Sequence, residues 1–397
     1  MELMNAIELF AGAGGLALGT ASAGFQHCAV LEWDKYACET MRQNQACGSK
    51  IVAGWTVYEQ DVRTFDYTPF HGKVDLLAGG PPCQPFSIGG KSRGHADDRD
   101  MFPELCRAVR EIAPKAVLVE NVKGLTRRAF STYFSYITLQ LRHPELIRRL
   151  DETWEQHLTR LEQHHVKGKK DGLEYRLVWR LVNAADYGIP QRRERIFFVA
   201  IRSDVGRGWS FPEPTHSVDS LLHDQWVSGD YWDTHAVAKH ARAMFPLRIR
   251  TRIEKLAFSG RANSQAWRTV RDAISDLPVP KMSACRKIAN HRLQPGAKVY
   301  PGHTGSPLDA PAKTLKAGDH GVPGGENMLL QPDGSVRYFT VREAARLQDF
   351  PDDYVFHGSW TETMRQLGNA VPVGLAGIVA SSLWGYLNDA SNGRRCP

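Results

Sequence analysis

The stretch Ala6 to Ala17, "AIELFAGAGGLA", decides how the first half of the chain is read. It opens on a short apolar run, "AIELF" (6–10), of the kind that forms a buried strand. Gly12, Gly14 and Gly15 follow within a few residues, where a tight turn needs unrestricted backbone. From Leu16 to Ala23 the pattern is helical. A strand, a glycine loop and a helix in that order make the first unit of a doubly wound α/β sheet.

The same alternation continues outward. "HCAVL" (27–31) reads as a second strand and "DKYACETMRQN" (34–44) as a helix. A third strand ends near Gln60, and "VDLLA" (74–78) is a fourth. "FPELCRAVREIA" (102–113) has helical spacing, and "AVLV" (116–119) is a fifth strand. "YRLVWRLV" (175–182) alternates as a strand does, and "RIFFVAI" (195–201) is a fully apolar run. Between these, Ile147, Leu150, Trp154, Leu158 and Leu161 recur at helical spacing. They predict an amphipathic helix over 144–166 with Pro144 in its first turn. His164 and His165 are adjacent there and share no helix face, so no metal site is expected. Residues 206–338 are irregular, rich in Pro, Gly, His and Trp, with basic patches such as "RIRTRIEK" (248–255). Helical order returns in "FTVREAARLQDF" (339–350) and "GLAGIVASSLWGYL" (374–387).

Composition narrows the class. With 397 residues, 42% of them hydrophobic, the chain can bury the cores of two domains, and disorder is not indicated. The net charge of +7 permits a polyanionic partner. Seven cysteines, none in a C-x-x-C pair, argue against a disulfide framework or a zinc module. No secretory signal or membrane-length apolar run stands out, so a cytoplasmic setting without a membrane partner is expected.

Gly12-x-Gly14-x-x-Ala17 after a strand, with Glu32 at the end of the next, satisfies a dinucleotide fingerprint, so a nicotinamide or flavin is one candidate ligand. S-adenosylmethionine needs much the same frame: glycines for close approach, an acid for the ribose, and aromatics such as Phe10 and Trp33 against the adenine. Asp61, after the third strand, could accept from the adenine amino group.

Ligands of open α/β sheets bind outside the carboxyl ends of the strands. Gly12, Glu32, Asp61, Cys83 and Glu120 each follow a different strand, first to fifth, and so fall along one edge. The thiol sits in "GGPPCQPFS" (79–87), a stiff, kinked loop. A soft nucleophile, a carboxyl able to assist charge on a ring and a methyl donor together fit the alkylation of an inert aromatic carbon such as cytosine C5.

At these residues the sequence resembles the cytosine-C5 DNA methyltransferases, in order through most of 7–205 and 339–380. "FAGAGG" and the following Leu16 resemble the family's cofactor loop, and "EWDKYA" (32–37) its second-strand acid and aromatic. "GGPPCQPFS" resembles the nucleophile motif, "ENVKG" (120–124) the motif of the catalytic acid, and "QRRERIFFVAIR" (191–202) the family's Q-x-R-x-R. "TVREAARLQDFP" (340–351) and "QLGNAVP" (366–372) resemble the two late motifs. The resemblance implies Cys83 as covalent nucleophile, Glu120 as catalytic acid, and Arg193 and Arg195 for the substrate pocket and its support. It implies S-adenosylmethionine as cofactor, met by Phe10, Gly12, Gly14, Gly15, Leu16, Glu32, Trp33, Asp61, Pro81 and Asn369.

It also implies an architecture: a Rossmann-like catalytic domain (1–205 with 339–397), mostly parallel with one antiparallel strand, and a target-recognition domain (206–338). A helical insertion at about 127–172 exceeds the compact family members, and its Lys167–Lys170 run could touch DNA. "SIGGKSRGHADDR" (87–99) is expected to be a lid over a flipped cytosine, with Ser87 and Arg99 on phosphates. "AGDHGVPGG" (317–325) could approach DNA closely. The implied partner is double-stranded DNA, met as a monomer, with a cognate restriction endonuclease as a possible genetic partner. The alternatives are a tRNA cytosine methyltransferase of the same family and a flavin or nicotinamide oxidoreductase.

Overall fold

The computed structural model describes residues 3–82, 100–168, 172–206, 208–243, 245–283, 287–299, 304–317 and 327–392. Within it the chain forms two compact units. The first comprises Met1–Val182, Glu194–Pro212 and Ala376–Pro397. The second comprises Asn183–Arg193 and Glu213–Leu375.

The first unit is built on β1 (Met4–Leu9), β2 (Phe25–Glu32), β3 (Val57–Glu59), β4 (Leu76–Gly79), β5 (Ala116–Val122), β6 (Tyr175–Asn183) and β7 (Glu194–Arg202). They form one sheet in the order β3-β2-β1-β4-β5-β7-β6. β1 lies parallel between β2 and β4, with Leu9 beside Leu31 and Gly79. β5 is parallel to β4 and antiparallel to β7. β7 is thus an antiparallel strand in a mostly parallel sheet, as expected. β4, β5 and β7 are buried along nearly their whole length because helices cover both faces.

The helices are α1 (Gly15–Ser22), α2 (Lys35–Ala46), α3 (Phe102–Ile112), α4 (Ser131–Arg142) and α5 (Trp154–Lys167). A Cβ on Gly24 would stand 3.1 Å from the Trp384 indole nitrogen, and one on Gly377 would stand 3.6 Å from the Gly19 carbonyl. Glycine thus brings the C-terminal helix onto α1 and its turn.

The insertion differs from its sequence reading. The expected helix over 144–166 begins only at Trp154, and residues 143–153 form turns. Thr153 and Gln156 start it with a capping box, Gln156 N donating to Thr153 Oγ1 at 3.3 Å and Thr153 N to Gln156 Oε1 at 2.8 Å. Ile147, in register with the helical pattern, is 55% exposed instead. The reading also passed over α4, whose Tyr133, Tyr136, Ile137 and Leu141 are buried. His164 and His165, one apart, both set their rings against His143, at 4.9 and 5.2 Å.

The second unit has helices α6 (Val218–Trp226), α7 (Asp230–Thr234), α8 (Arg250–Ser259), α9 (Val270–Ile274), α10 (Val341–Arg346) and α11 (Trp360–Asn369), and small two- and three-stranded sheets. Leu221, Tyr231 and Trp232 form one of its cores. The expected boundary at 338/339 falls inside this unit. Residues 339–375 are bound into it by polar contacts, such as His291 Nδ1 to Thr340 Oγ1 at 2.9 Å and Arg342 Nε to the Ala289 carbonyl at 3.2 Å. α12 (Val373–Ser391) is the long apolar helix foreseen near the C-terminus. By length and composition Trp360–Ser391 could cross a membrane, which no apolar run was expected to do. It is broken at 370–372, and 61% of its apolar window is buried, as in a core helix.

Candidate active site

The carboxyl ends of the parallel strands share one edge of the sheet, as the sequence led one to expect. At the end of β1, Phe10 takes φ 56°, Gly12 φ 54° and Gly14 φ 83°. These are left-handed conformations, natural for glycine and strained for Phe10. A Cβ on Gly12 would meet nothing within 4 Å, so backbone geometry requires the glycine and the space beside it is open.

Glu32 ties this loop to the next strand. One carboxylate oxygen accepts from Gly12 N at 2.7 Å, and the other from Trp33 N at 2.9 Å and Asp34 N at 2.8 Å. Burial raises the pKa of this carboxyl, and the three N–H groups oppose that by favouring its charged form. Trp33 is 69% exposed at the rim, Phe10 is half-buried against the core, and Gly15 and Leu16 are buried in the first turn of α1. Asp61 is already engaged: Arg63 Nε lies 2.9 Å from its Oδ2, which holds its carboxyl below the usual range.

β4 leads into Gly80 and Pro81 beside β5. A Cβ on Gly79 would stand 2.8 Å from the Leu9 carbonyl, and one on Gly80 would stand 3.3 Å from Glu120 Oε2. Glu120 is buried and pairs with Arg195, whose Nε lies 2.8 Å from Oε1. The ladder explains the pairing. Arg195 on β7 stands opposite Val122, and Val122 shares a strand face with Glu120 two residues earlier.

The next residue points the other way. Asn121, only 3% exposed, donates from Nδ2 to the Pro81 carbonyl at 3.0 Å and accepts from Val122 N at 2.8 Å. The sequence reading gave Asn121 no part, although a polar side chain inside an apolar strand was a usable signal.

Arg193 and Arg195, treated alike from sequence, have different partners. Arg193 belongs to the second unit, is completely buried, and donates to the carbonyls of Leu315 (3.0 Å), Gly368 (2.8 Å) and Ala370 (2.8 Å). Its guanidinium joins main-chain segments, whereas Arg195 meets the Glu120 carboxylate. Asn369 ends α11 and is exposed. Cys83, Ser87 and Arg99 lie outside the described residues, as do Lys169, Lys170 and all but the first residue of 317–325.

The sequence profile of the C-5 cytosine-specific DNA methylases matches residues 4–144 and 156–384. The chain belongs to that family. It is a DNA (cytosine-5-)-methyltransferase. It is 33% identical over 391 residues to the Type II methyltransferase M.PspPI of a Psychrobacter strain, covering 97% of this chain and 80% of that one. It is 31% identical to the Type II methyltransferase M.NgoMIV of Neisseria gonorrhoeae, covering 96% of both. In fold it is similar to the solved Dnmt2 methyltransferase of S. pombe, with a TM-score of 0.54 over 97% of this chain and 98% of that one at 16% identity. The methyltransferase profile skips 145–155, the turns that precede α5 and its first two residues.

Proposed function

We propose that this methyltransferase uses S-adenosylmethionine to methylate C5 of a cytosine within a short duplex DNA site, through a covalent bond between Cys83 and C6. The observation that carries the reading is the convergence at one sheet edge of the Glu32-braced glycine loop, the Pro81 clamp and the Glu120–Arg195 pair.

The residues at the loop suit the cofactor. Open space beside Gly12, a buried carboxylate with lone pairs left for ribose hydroxyls, and the rings of Phe10 and Trp33 match a nucleoside with a short charged tail. When bound, S-adenosylmethionine supplies an electrophilic methyl group on sulfonium.

The chain's own residues do the rest. The target base leaves the stack, at a cost of a few kcal/mol, to reach a pocket its C6 cannot meet inside the duplex. The Cys83 thiolate adds its electron pair to C6, and the C5=C6 π electrons move into the ring toward N3. Glu120, entering the step protonated, gives its proton to N3 as that charge builds and accepts from the exocyclic amine, with Arg195 holding its carboxyl in place. C5, now enamine-like, can take the methyl. Loss of the C5 proton and expulsion of the thiolate then restore the aromatic ring. The Type II relatives support a reading of the chain as the modification arm of a restriction–modification system; it would act as a monomer on DNA.

The test uses duplex DNA carrying 5-fluorocytosine at the target, found first by bisulfite sequencing of plasmid from an expressing host. Fluorine at C5 cannot leave as a proton does, so the adduct persists. A denaturation-resistant protein–DNA species with the wild type, absent in Cys83→Ala, is the expected result. Trapping that survives in Cys83→Ala would overturn the covalent role.

A further inference from the structure

Away from the sheet edge, the first unit holds a cavity of about 290 Å³ between α3, α4, the 143–153 turns and α5. Tyr133, Tyr136 and Trp154 wall one part of it, packed edge to face with Trp154 6.0 and 5.5 Å from the two tyrosine rings. Arg110 and Arg148 line it as well. Leu146, Ile147, Arg148 and Trp154 of this wall lie in 145–155, the stretch that the family profile skips.

Two of the wall's three guanidinium groups make no ion pair among the described residues. Glu104 is taken by Arg107, whose Nε is 2.9 Å away, and Arg107 also reaches Glu111 at 2.9 Å and the Val62 carbonyl at 2.6 Å. Asp100 accepts from the Tyr133 hydroxyl and from Phe102 N. His157 has both ring nitrogens engaged, Nδ1 with Tyr136 Oη at 2.9 Å and Nε2 with the Leu146 carbonyl at 2.6 Å. Burial lowers its pKa and keeps it neutral. His143 is pushed down to about 4 by burial and then by His164 and His165. Two guanidinium groups remain. Arg110 donates only to the Pro144 carbonyl, at 3.3 Å, and neither it nor Arg148 has a carboxylate partner among the described residues.

Guanidinium groups without a direct carboxylate partner, beside packed aromatic rings, are the chemistry that binds a planar ring carrying an anionic group. The volume sits at the lower edge of ligand pockets, roughly 300–1,000 Å³, which suits a mononucleotide and not a dinucleotide. We propose that this cavity is a second ligand site, separate from the methyl-transfer centre, for a small planar anion of the nucleoside monophosphate class. The guanidinium groups of Arg110 and Arg148 hold the phosphate, and Tyr133, Tyr136 and Trp154 hold the ring.

The test is calorimetric titration of the full chain, with S-adenosylhomocysteine saturating the cofactor site. The probes are adenosine 5′-monophosphate, adenosine and inorganic phosphate. One equivalent of the monophosphate should bind, at least tenfold tighter than either fragment. The double variant Arg110→Ala, Arg148→Ala should lose at least tenfold in that affinity with methyl transfer unchanged. Failure of the monophosphate to bind, or equal binding by the double variant, would overturn the site. Equal binding of inorganic phosphate would overturn the part given to the rings. Displacement of the monophosphate by non-target duplex DNA would assign the cavity to backbone phosphate and overturn the small-ligand reading. Arg148 is exposed and its single variant should fold; a tenfold loss in that variant alone would support the site.

Discussion

Asn121 holds the carbonyl of Pro81 at 3.0 Å, from the strand position next to Glu120. One residue aims the acid and its neighbour fixes the chain two residues before the thiol. Removing the amide should therefore misplace the nucleophile and leave the acid intact. Asn121→Ala is expected to lower the rate of adduct formation by roughly 10- to 100-fold, the range in which a displacement of about 1 Å acts. Cofactor and DNA affinity should change little. Single-turnover trapping set against equilibrium binding separates the two effects.

The two glycines before that carbonyl should fail differently. An alanine at Gly79 meets the Leu9 carbonyl at 2.8 Å, a backbone atom in a neighbouring strand that cannot move aside. Gly79→Ala should lower the melting temperature. An alanine at Gly80 meets the Glu120 carboxylate at 3.3 Å. Gly80→Ala should keep the melting temperature close to wild type and slow methyl transfer. Calorimetry and a methyl-transfer assay on both variants check the contrast.

Glu32 joins two loops through three N–H groups. Glu32→Ala leaves all three without their acceptor, at about 1–3 kcal/mol for each one that stays buried and unpaired. The glycine loop should lose its conformation, and S-adenosylhomocysteine should bind at least tenfold more weakly by calorimetry. Cytosine trapping at saturating cofactor should be less affected.

The insertion should respond to acid. Glu152 accepts from Arg160 at 2.8 and 2.7 Å, and this pairing first, with the Arg149 N–H, lowers its pKa to about 2. The folded pKa lies below the unfolded one, so the pair's contribution is present above the unfolded value and is lost as pH falls toward 2. Arg160 also holds the Ile147 carbonyl at 2.6 Å. Amide exchange in 147–160 should rise as pH falls below about 4. Glu152→Gln should show the raised exchange already at neutral pH.

Much of the site was legible because it follows the strands. Once β1 to β5 were recognised from their apolar runs, Gly12, Glu32, Asp61 and Glu120 had to share one sheet edge, and they do. What the sequence hid depends on partners distant along the chain. Nothing within ten residues of Arg193 shows that its guanidinium goes to carbonyls at 315, 368 and 370, whereas Arg195 two residues on goes to a carboxylate. The start of α5 was missed for a local reason. Pro144 suits a first helical turn, but the capping box at Thr153 and Gln156 satisfies the first free N–H groups later. Asn121 was overlooked because its neighbour carries the charge.

Arg193 also sets an order of events. Its three acceptors lie 122, 175 and 177 residues further along the chain. On the ribosome this buried cation is made long before these three carbonyls. The second unit cannot close around it until residue 370 has emerged, after most of the first unit's sheet is already available to fold. A chain truncated before residue 368 should therefore leave that unit unfinished however much of its length has been made.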